Sequence, residues 1–115
     1  MHEYSIVAAL VDRVQREVAG RPGAIARKLR VRIGEQSGVE LDLLRTAYTT
    51  FRARSACAEA ELELVQVPAI WRCLRCDLSI PAGALLRCPS CGHPARLTSG
   101  DDIILERIEM EVPDV

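Results

Sequence analysis

Cys73-Leu74-Arg75-Cys76, then eleven residues, then Cys88-Pro89-Ser90-Cys91 is the stretch that decides this fold. Two Cys-x-x-Cys knuckles joined by a short loop predict a four-thiolate zinc site. Each knuckle aims two sulfurs at one point, and two knuckles complete a tetrahedron. Gly92 follows the second knuckle, where positive φ lets backbone N–H groups turn toward sulfur, and Asp77 holds the matching place after the first. Four thiolates leave no open coordination position, so such a zinc is structural. A redox pair or half of a disulfide framework are the competing readings of Cys-x-x-Cys.

Outward from the knuckles the chain returns to strands. Before them, residues 60 to 67 predict a strand with Leu62 and Leu64 inward and Glu61 and Glu63 outward. Its alternation slips at Val65, which suggests a bulge, and Pro68 ends it. After them, Ser99-Gly100-Asp101-Asp102 reads as a turn. A last strand follows from about Ile103 to Val112, with Ile108, Met110 and Val112 alternating against Arg107, Glu109 and Glu111. Residues 27 to 34 alternate as well: Leu29, Val31 and Ile33 one way, Lys28, Arg30 and Arg32 the other. One strand thus carries a basic outer face and two carry acidic ones. Opposite charges across strands stabilise a sheet, so all three are expected in one sheet.

Two helices complete the pattern. Residues 4 to 19 place Val7, Leu10 or Val11, Val14 and Val18 at helical spacing, with Asp12, Arg13, Arg16 and Glu17 opposite, and Gly20-Arg21-Pro22-Gly23 stops the run. Gly34 and Gly38 mark a turn, and Ser37-Gly38-Val39-Glu40 reads as a capping box for a helix to about Arg54. On that helix Leu41, Leu44, Tyr48 and Phe51 form the apolar stripe. The expected fold is α/β: a three-stranded sheet with two helices on one face, plus an inserted four-cysteine zinc ribbon. The expected division is an α/β domain over residues 1–69, completed by residues 103–115 as its last strand, and a zinc-binding domain over residues 70–102.

Composition bounds the function. The 115 residues suit one small domain or one core with a metal-stapled appendage. One Trp, two Tyr and one Phe leave an aliphatic core. A net charge of −1 gives no general pull toward nucleic acid or membrane. No apolar run is long enough to span a bilayer, and Met1-His2-Glu3-Tyr4 is not a signal peptide. Five cysteines without export point to a reducing cytoplasm, where paired thiols hold metal.

The second residue, His2, has its own chemistry. A free Met1 amine, the His2 backbone nitrogen and the His2 ring nitrogen can close two fused chelate rings on one metal. Ni(II) and Cu(II), which favour square-planar nitrogen ligands, can drive off the backbone proton. Glu3 can add a fourth ligand through its backbone nitrogen or its carboxylate, and a bulky His2 should keep Met1 from being clipped. An exposed histidine with no metal is the alternative on these residues alone.

The whole chain resembles the HypA/HybF family, nickel metallochaperones of hydrogenase maturation. Met1-His2-Glu3 matches that family's opening motif. Ile33-Gly34-Glu35 with Ser37-Gly38-Val39, then Leu44-Arg45-x-Ala47, matches its first strand and second helix. Glu61-Leu62-Glu63 before Pro68, the knuckles with Cys88-Pro89-x-Cys91-Gly92, and Ser99-Gly100 before the acidic last strand complete the match. The paired knuckles alone are generic; with Met1-His2-Glu3 they are specific. The resemblance implies Ni(II) as cargo at Met1, His2 and Glu3, and structural Zn(II) at Cys73, Cys76, Cys88 and Cys91. It implies as partners an accessory GTPase, the large-subunit precursor of a nickel–iron hydrogenase and, in some members, urease maturation proteins. The departures are a slightly short zinc spacer and Cys57.

Several residues remain. Cys57 makes the cysteine count odd and reads as a small buried hydrophobe, against a reactive or fifth metal-binding thiol. His93 reads as a surface residue or a donor to a cysteine sulfur, and Trp71 as packing between the two parts. Arg72, Arg75, Arg87 and Arg96, set against Asp77 and a tetrathiolate zinc, net to about +1, a poor nucleic-acid footprint. A zinc-ribbon module for protein or nucleic acid would not need Met1-His2-Glu3. A thiol-redox enzyme would need one exposed low-pKa pair. Neither a Ser/His/Asp set nor a phosphate loop is present, so no catalysis is expected.

Overall fold

Charge decides the strand order. In the computed structural model, which describes residues 2–81 and 85–113, strand β1 (Ile25–Gly34) lies between β2 (Glu61–Val67) and β6 (Ile103–Glu111). The basic strand is the central one, so Arg27, Lys28 and Arg30 each reach an acidic partner. Arg27 pairs with Glu111 at 2.9 Å and Glu59 at 3.3 Å. Lys28 meets Glu63 at 3.0 Å. Arg30 sits between Glu63 at 3.3 Å and Glu106 at 3.2 Å. Each exposed pair contributes little alone, but any other order would leave the basic strand with one acidic neighbour or set the acidic strands side by side.

The other side of β1 is apolar. Leu29 and Val31 are fully buried, as are Val7 and Val14 of α1 (His2–Ala19) and Leu44 and Ala47 of α2 (Leu41–Phe51). Each large aliphatic side chain so buried contributes roughly 1.5–3 kcal/mol by leaving water. The outer face of α1 carries the i,i+4 pairs Arg13–Glu17 and Arg16–Asp12.

Several boundaries differ from the sequence reading. Helix α1 begins at His2 rather than Tyr4. Glu3 in its first turn suits the positive end of the helix dipole, so nothing delays the start. Helix α2 ends at Phe51 and tightens into a 3-10 turn, Arg52–Arg54. Ser37 does not cap α2: Glu40 is the N-cap, its side chain accepting the Asp42 N–H at 3.2 Å. In β6 the half-buried side is Ile103, Leu105, Ile108 and Met110, so the alternation slips at Glu106-Arg107, which are both exposed.

The ribbon forms a second antiparallel sheet of β3 (Ile70–Cys73), β4 (Leu78–Ile80) and β5 (Arg96–Ser99), in the order β4-β3-β5. Trp71 faces Ile80 on one side and Leu97 on the other. It packs on the ribbon's own cluster of Cys73, Ile80 and Cys88. The ribbon is inserted between β2 and β6, as its place in the sequence predicts.

By contacts the chain divides into two units, one of Met1–Arg32, Val39–Val65 and Ile104–Val115, the other of Ile33–Gly38 and Gln66–Ile103. The second unit is tied at its root by backbone bonds. Gly34 N–H donates to Asp102 O at 2.8 Å, Glu35 N–H to Val67 O at 2.8 Å and Gln36 N–H to Gly100 O at 2.7 Å. The backbones come so close that a side chain on Gly34 would strike the Gly100 carbonyl. Gly100 itself has φ +95°, and a Cβ there would lie 2.6 Å from Pro68 O.

Candidate metal centres

The four knuckle cysteines converge. The Sγ atoms of Cys73, Cys76, Cys88 and Cys91 all lie within 4.8 Å of one another, with Cys73 and Cys91 at 3.6 Å. Tetrahedral zinc with bonds of about 2.3 Å needs sulfurs roughly 3.8 Å apart, so these residues fit the metal. Each knuckle is built by its own backbone. The Cys76 N–H points at Cys73 Sγ at 3.4 Å, and Gly92 N–H closes the second turn on Cys88 O at 2.9 Å. Gly92 has φ +75°, and Asp77 is the one non-glycine residue at positive φ, 55°, among those described. Arg72 holds Asp77 there: its guanidinium reaches the Asp77 carboxylate at 2.6 Å and the Asp77 carbonyl at 3.1 Å.

The electrostatics ask for a cation. Backbone N–H groups of Cys91 and then Ser90 aim at the Cys88 sulfur and hold its thiol below the usual thiol range. The Cys76 thiol is pushed the other way, first by the Cys91 sulfur beside it. A thiol cluster with one member drawn to ionise and another prevented by its neighbours is relieved by a divalent ion at the centre. His93 is exposed, its Nε2 3.4 Å from the Arg75 guanidinium.

The amino-terminal tripeptide presents a different environment. Met1 lies outside the described residues. His2 is exposed and is the first helical residue of α1, its carbonyl taking the Ser5 hydroxyl at 2.8 Å. Glu3 is buried, with 8 % of its surface exposed. Its carboxylate accepts the Glu40 N–H at 3.2 Å, and that bond draws its pKa below the ordinary 4.5. Glu3 thus fastens the first turn of α1 to the residue that caps α2. Sequence reasoning missed this link. A glutamate is a poor N-cap signal, and no spacing rule joins residues 3 and 40.

Cys57 is fully buried beside Tyr48 and Arg52, and burial pushes its thiol pKa up. That is a small core residue and the opposite of a reactive thiolate. Tyr48 donates its hydroxyl to Ala60 O at 2.8 Å, and Arg52 reaches the same carbonyl at 3.0 Å.

This fold and site define a small α/β protein carrying a four-cysteine metal-binding ribbon. The family described as "Hydrogenase/urease nickel incorporation, metallochaperone, hypA" matches residues 1–110. A Hydrogenase maturation factor HypA of Wolinella succinogenes is 37 % identical, over 99 % of this chain and 98 % of its own. Another from Shewanella sp. strain MR-7 is 36 % identical, over 99 % and 98 %. The solution structure of the Ni metallochaperone HypA from Helicobacter pylori superposes with TM-score 0.71 at 27 % identity, over 96 % of this chain and 98 % of that one. A second HypA solution structure gives TM-score 0.74 at 30 % identity, over 98 % of each. The chain belongs to the HypA family of hydrogenase/urease nickel-incorporation metallochaperones.

Proposed function

We propose that this protein binds Ni(II) at Met1, His2 and Glu3 and delivers it for maturation of a nickel–iron hydrogenase, while Cys73, Cys76, Cys88 and Cys91 hold structural Zn(II). Residues 1–69, completed by residues 103–115, are the nickel-binding part, and residues 70–102 the zinc-binding part. The observation that carries the reading is the exposed His2 at the head of α1 in a chain matched to the HypA family from residue 1 to 110.

The geometry supports it in two ways. The first N–H groups of a helix have no partner within the helix, so the His2 and Glu3 nitrogens can serve a metal without costing a ladder bond. The Glu3 carboxylate accepts the Glu40 N–H and faces its own backbone N–H, so Glu3 supplies nickel with either its backbone nitrogen or a carboxylate oxygen by giving up one of these bonds. Soft thiolates suit zinc, and an amine, a backbone nitrogen and an imidazole suit nickel, so the two metals sort by ligand chemistry. The partners are an accessory GTPase of hydrogenase maturation and the hydrogenase large-subunit precursor, with urease maturation proteins as further recipients, all in the cytoplasm. Among the described residues no helix is long and apolar enough to cross a membrane.

The test is His2→Ala, assayed for hydrogenase maturation at limiting nickel. The variant should keep its fold and its zinc and lose nickel transfer, because an exposed side chain is removed. Maturation equal to wild type would remove the support for the carrier role.

A further inference from the structure

Both polar atoms of the peptide between His2 and Glu3 are engaged. Its oxygen, on His2, accepts the Ser5 hydroxyl at 2.8 Å. Its N–H, on Glu3, faces the Glu3 carboxylate. A hydroxyl donating to the oxygen and a carboxylate accepting from the nitrogen pull the peptide the same way. They favour its charge-separated form, with negative charge on oxygen and double-bond character between carbon and nitrogen.

Hydroxyl bonds to a carbonyl one turn back are ordinary in helices. Thr49 and Thr50 of α2 donate to Arg45 O at 3.0 Å and Thr46 O at 3.1 Å. What sets Ser5 apart is the carbonyl it takes. His2 O belongs to the same amide as the Glu3 nitrogen, one of the two kinds of Glu3 atom open to nickel. A peptide nitrogen that ligates a metal gives up its proton, and the charge left behind spreads through the amide to the oxygen. A hydrogen bond to a charged acceptor is roughly twice as strong as one to a neutral acceptor. The Ser5 bond therefore tightens when nickel binds at nitrogen, and only such a difference between free and bound states adds to affinity. Nickel at the carboxylate would leave that bond as it is.

We propose that Ser5 is a positioning residue for nickel: its hydroxyl holds the His2–Glu3 peptide in the polarised form whose nitrogen ligates the metal. This role rests on nickel at the amino terminus, as read above. Nickel takes the Glu3 nitrogen rather than a carboxylate oxygen. The N–H bond breaks, the Ni–N bond forms, and the proton leaves to water past the carboxylate that faces it. The Glu3 carboxylate keeps the Glu40 N–H, and with it the join between the first turn of α1 and the cap of α2. Ser5 is exposed, so water competes for the same oxygen and the effect is moderate.

The test is nickel titration into the zinc-loaded full chain with its authentic amino terminus. Ser5→Ala should bind nickel about fivefold more weakly. Alanine is the better helix former, so the change does not weaken α1 by propensity. Ser5→Thr keeps a hydroxyl that reaches back one turn and should restore the affinity. Thr49→Ala loses the same kind of bond in α2 and should bind nickel as wild type does. A second readout is the infrared carbonyl band of protein isotope-labelled at its two histidines, His2 and His93. The His2 band should fall on nickel loading, and further in wild type than in Ser5→Ala. Wild-type affinity in Ser5→Ala, or a His2 band that nickel does not move, would overturn the proposal and leave the carboxylate as the Glu3 ligand. Equal loss in Thr49→Ala, or no restoration by Ser5→Thr, would overturn it by making the effect one of helix stability. His2→Ala tells the two readings apart. If it loses nickel and Ser5→Ala does not, the nickel reading stands and the Ser5 role falls; if it binds nickel as wild type does, both fall.

Discussion

Among the described residues, the unit of α1, α2 and the central strands buries Val7, Val14, Leu29, Val31, Leu44 and Ala47 completely. The ribbon's buried cluster is Cys73, Ile80 and Cys88, of which one alone is not a cysteine. The ribbon meanwhile leaves Leu74 at 64 % and Leu85 at 84 % exposed. One unit is therefore held by apolar burial, while the other has a buried cluster made largely of cysteines. On the zinc reading proposed above, the same chain meets the small-domain problem in two ways, with a core where helices and a sheet can enclose one and with a metal where they cannot.

The comparison breaks most visibly at the metal. Structural zinc in small domains supplies about 10–16 kcal/mol of apparent binding energy, which is also folding energy. Cys73→Ala or Cys91→Ala should therefore release the zinc and unfold residues 70 to 98 while α1 and α2 persist. Zinc content and amide hydrogen exchange read this together. Equal protection of the ribbon with and without metal would contradict it.

A core deletion is the reciprocal test. Leu44 is fully buried in α2, and Leu44→Ala should cost about 2–5 kcal/mol as lost burial and residual cavity. Denaturant unfolding followed on the helices should show that loss, with one zinc still bound at four sulfurs. Loss of zinc from this variant would mean that the two units are not stabilised separately.

The smallest effect sits on the sheet. The Lys28 ammonium hydrogen-bonds Glu63 and, with its charge and that of Arg30, holds the Glu63 carboxyl below its ordinary 4.5. A depressed folded-state pKa contributes stability that is present above the unfolded value and lost as pH falls through the folded one. Glu63→Gln should therefore flatten the acid side of the stability–pH curve and leave the neutral-to-basic side parallel to wild type. An unaltered slope below pH 4.5 would show that the ladder of charges across β1 contributes nothing to acid stability.

Much of this was legible in the chain. The two knuckles and the glycine after the second gave the ribbon, because metal chemistry demands fixed spacing. The alternating charges of residues 28 to 32 against Glu63, Glu109 and Glu111 gave the shared sheet, and the structure adds the order by putting the basic strand in the middle. What sequence could not show is long-range. Glu3 meets Glu40 across the chain, so a residue read as a ligand also joins two helices. Gly34 reads as a turn residue in the sequence, yet it is also the place where the backbone of Gly100 closes in. Ser37 reads as a cap because its spacing to Glu40 imitates one. Helix α2 starts later, and Glu40 takes the task itself.

The measurement that bears most directly on the carrier role is nickel titration into two zinc-loaded proteins, one with the authentic amino terminus and one with a residue added before Met1. The extension turns the Met1 amine into an amide and moves His2 out of second position, so the fused chelate rings no longer close. Nickel should bind the authentic protein more tightly, and more weakly as pH falls, because protons compete for the amine and imidazole. Zinc at the four cysteines should be the same in both. Equal nickel affinity in the two proteins would contradict the account and send the nickel elsewhere, with His93 the next residue to test.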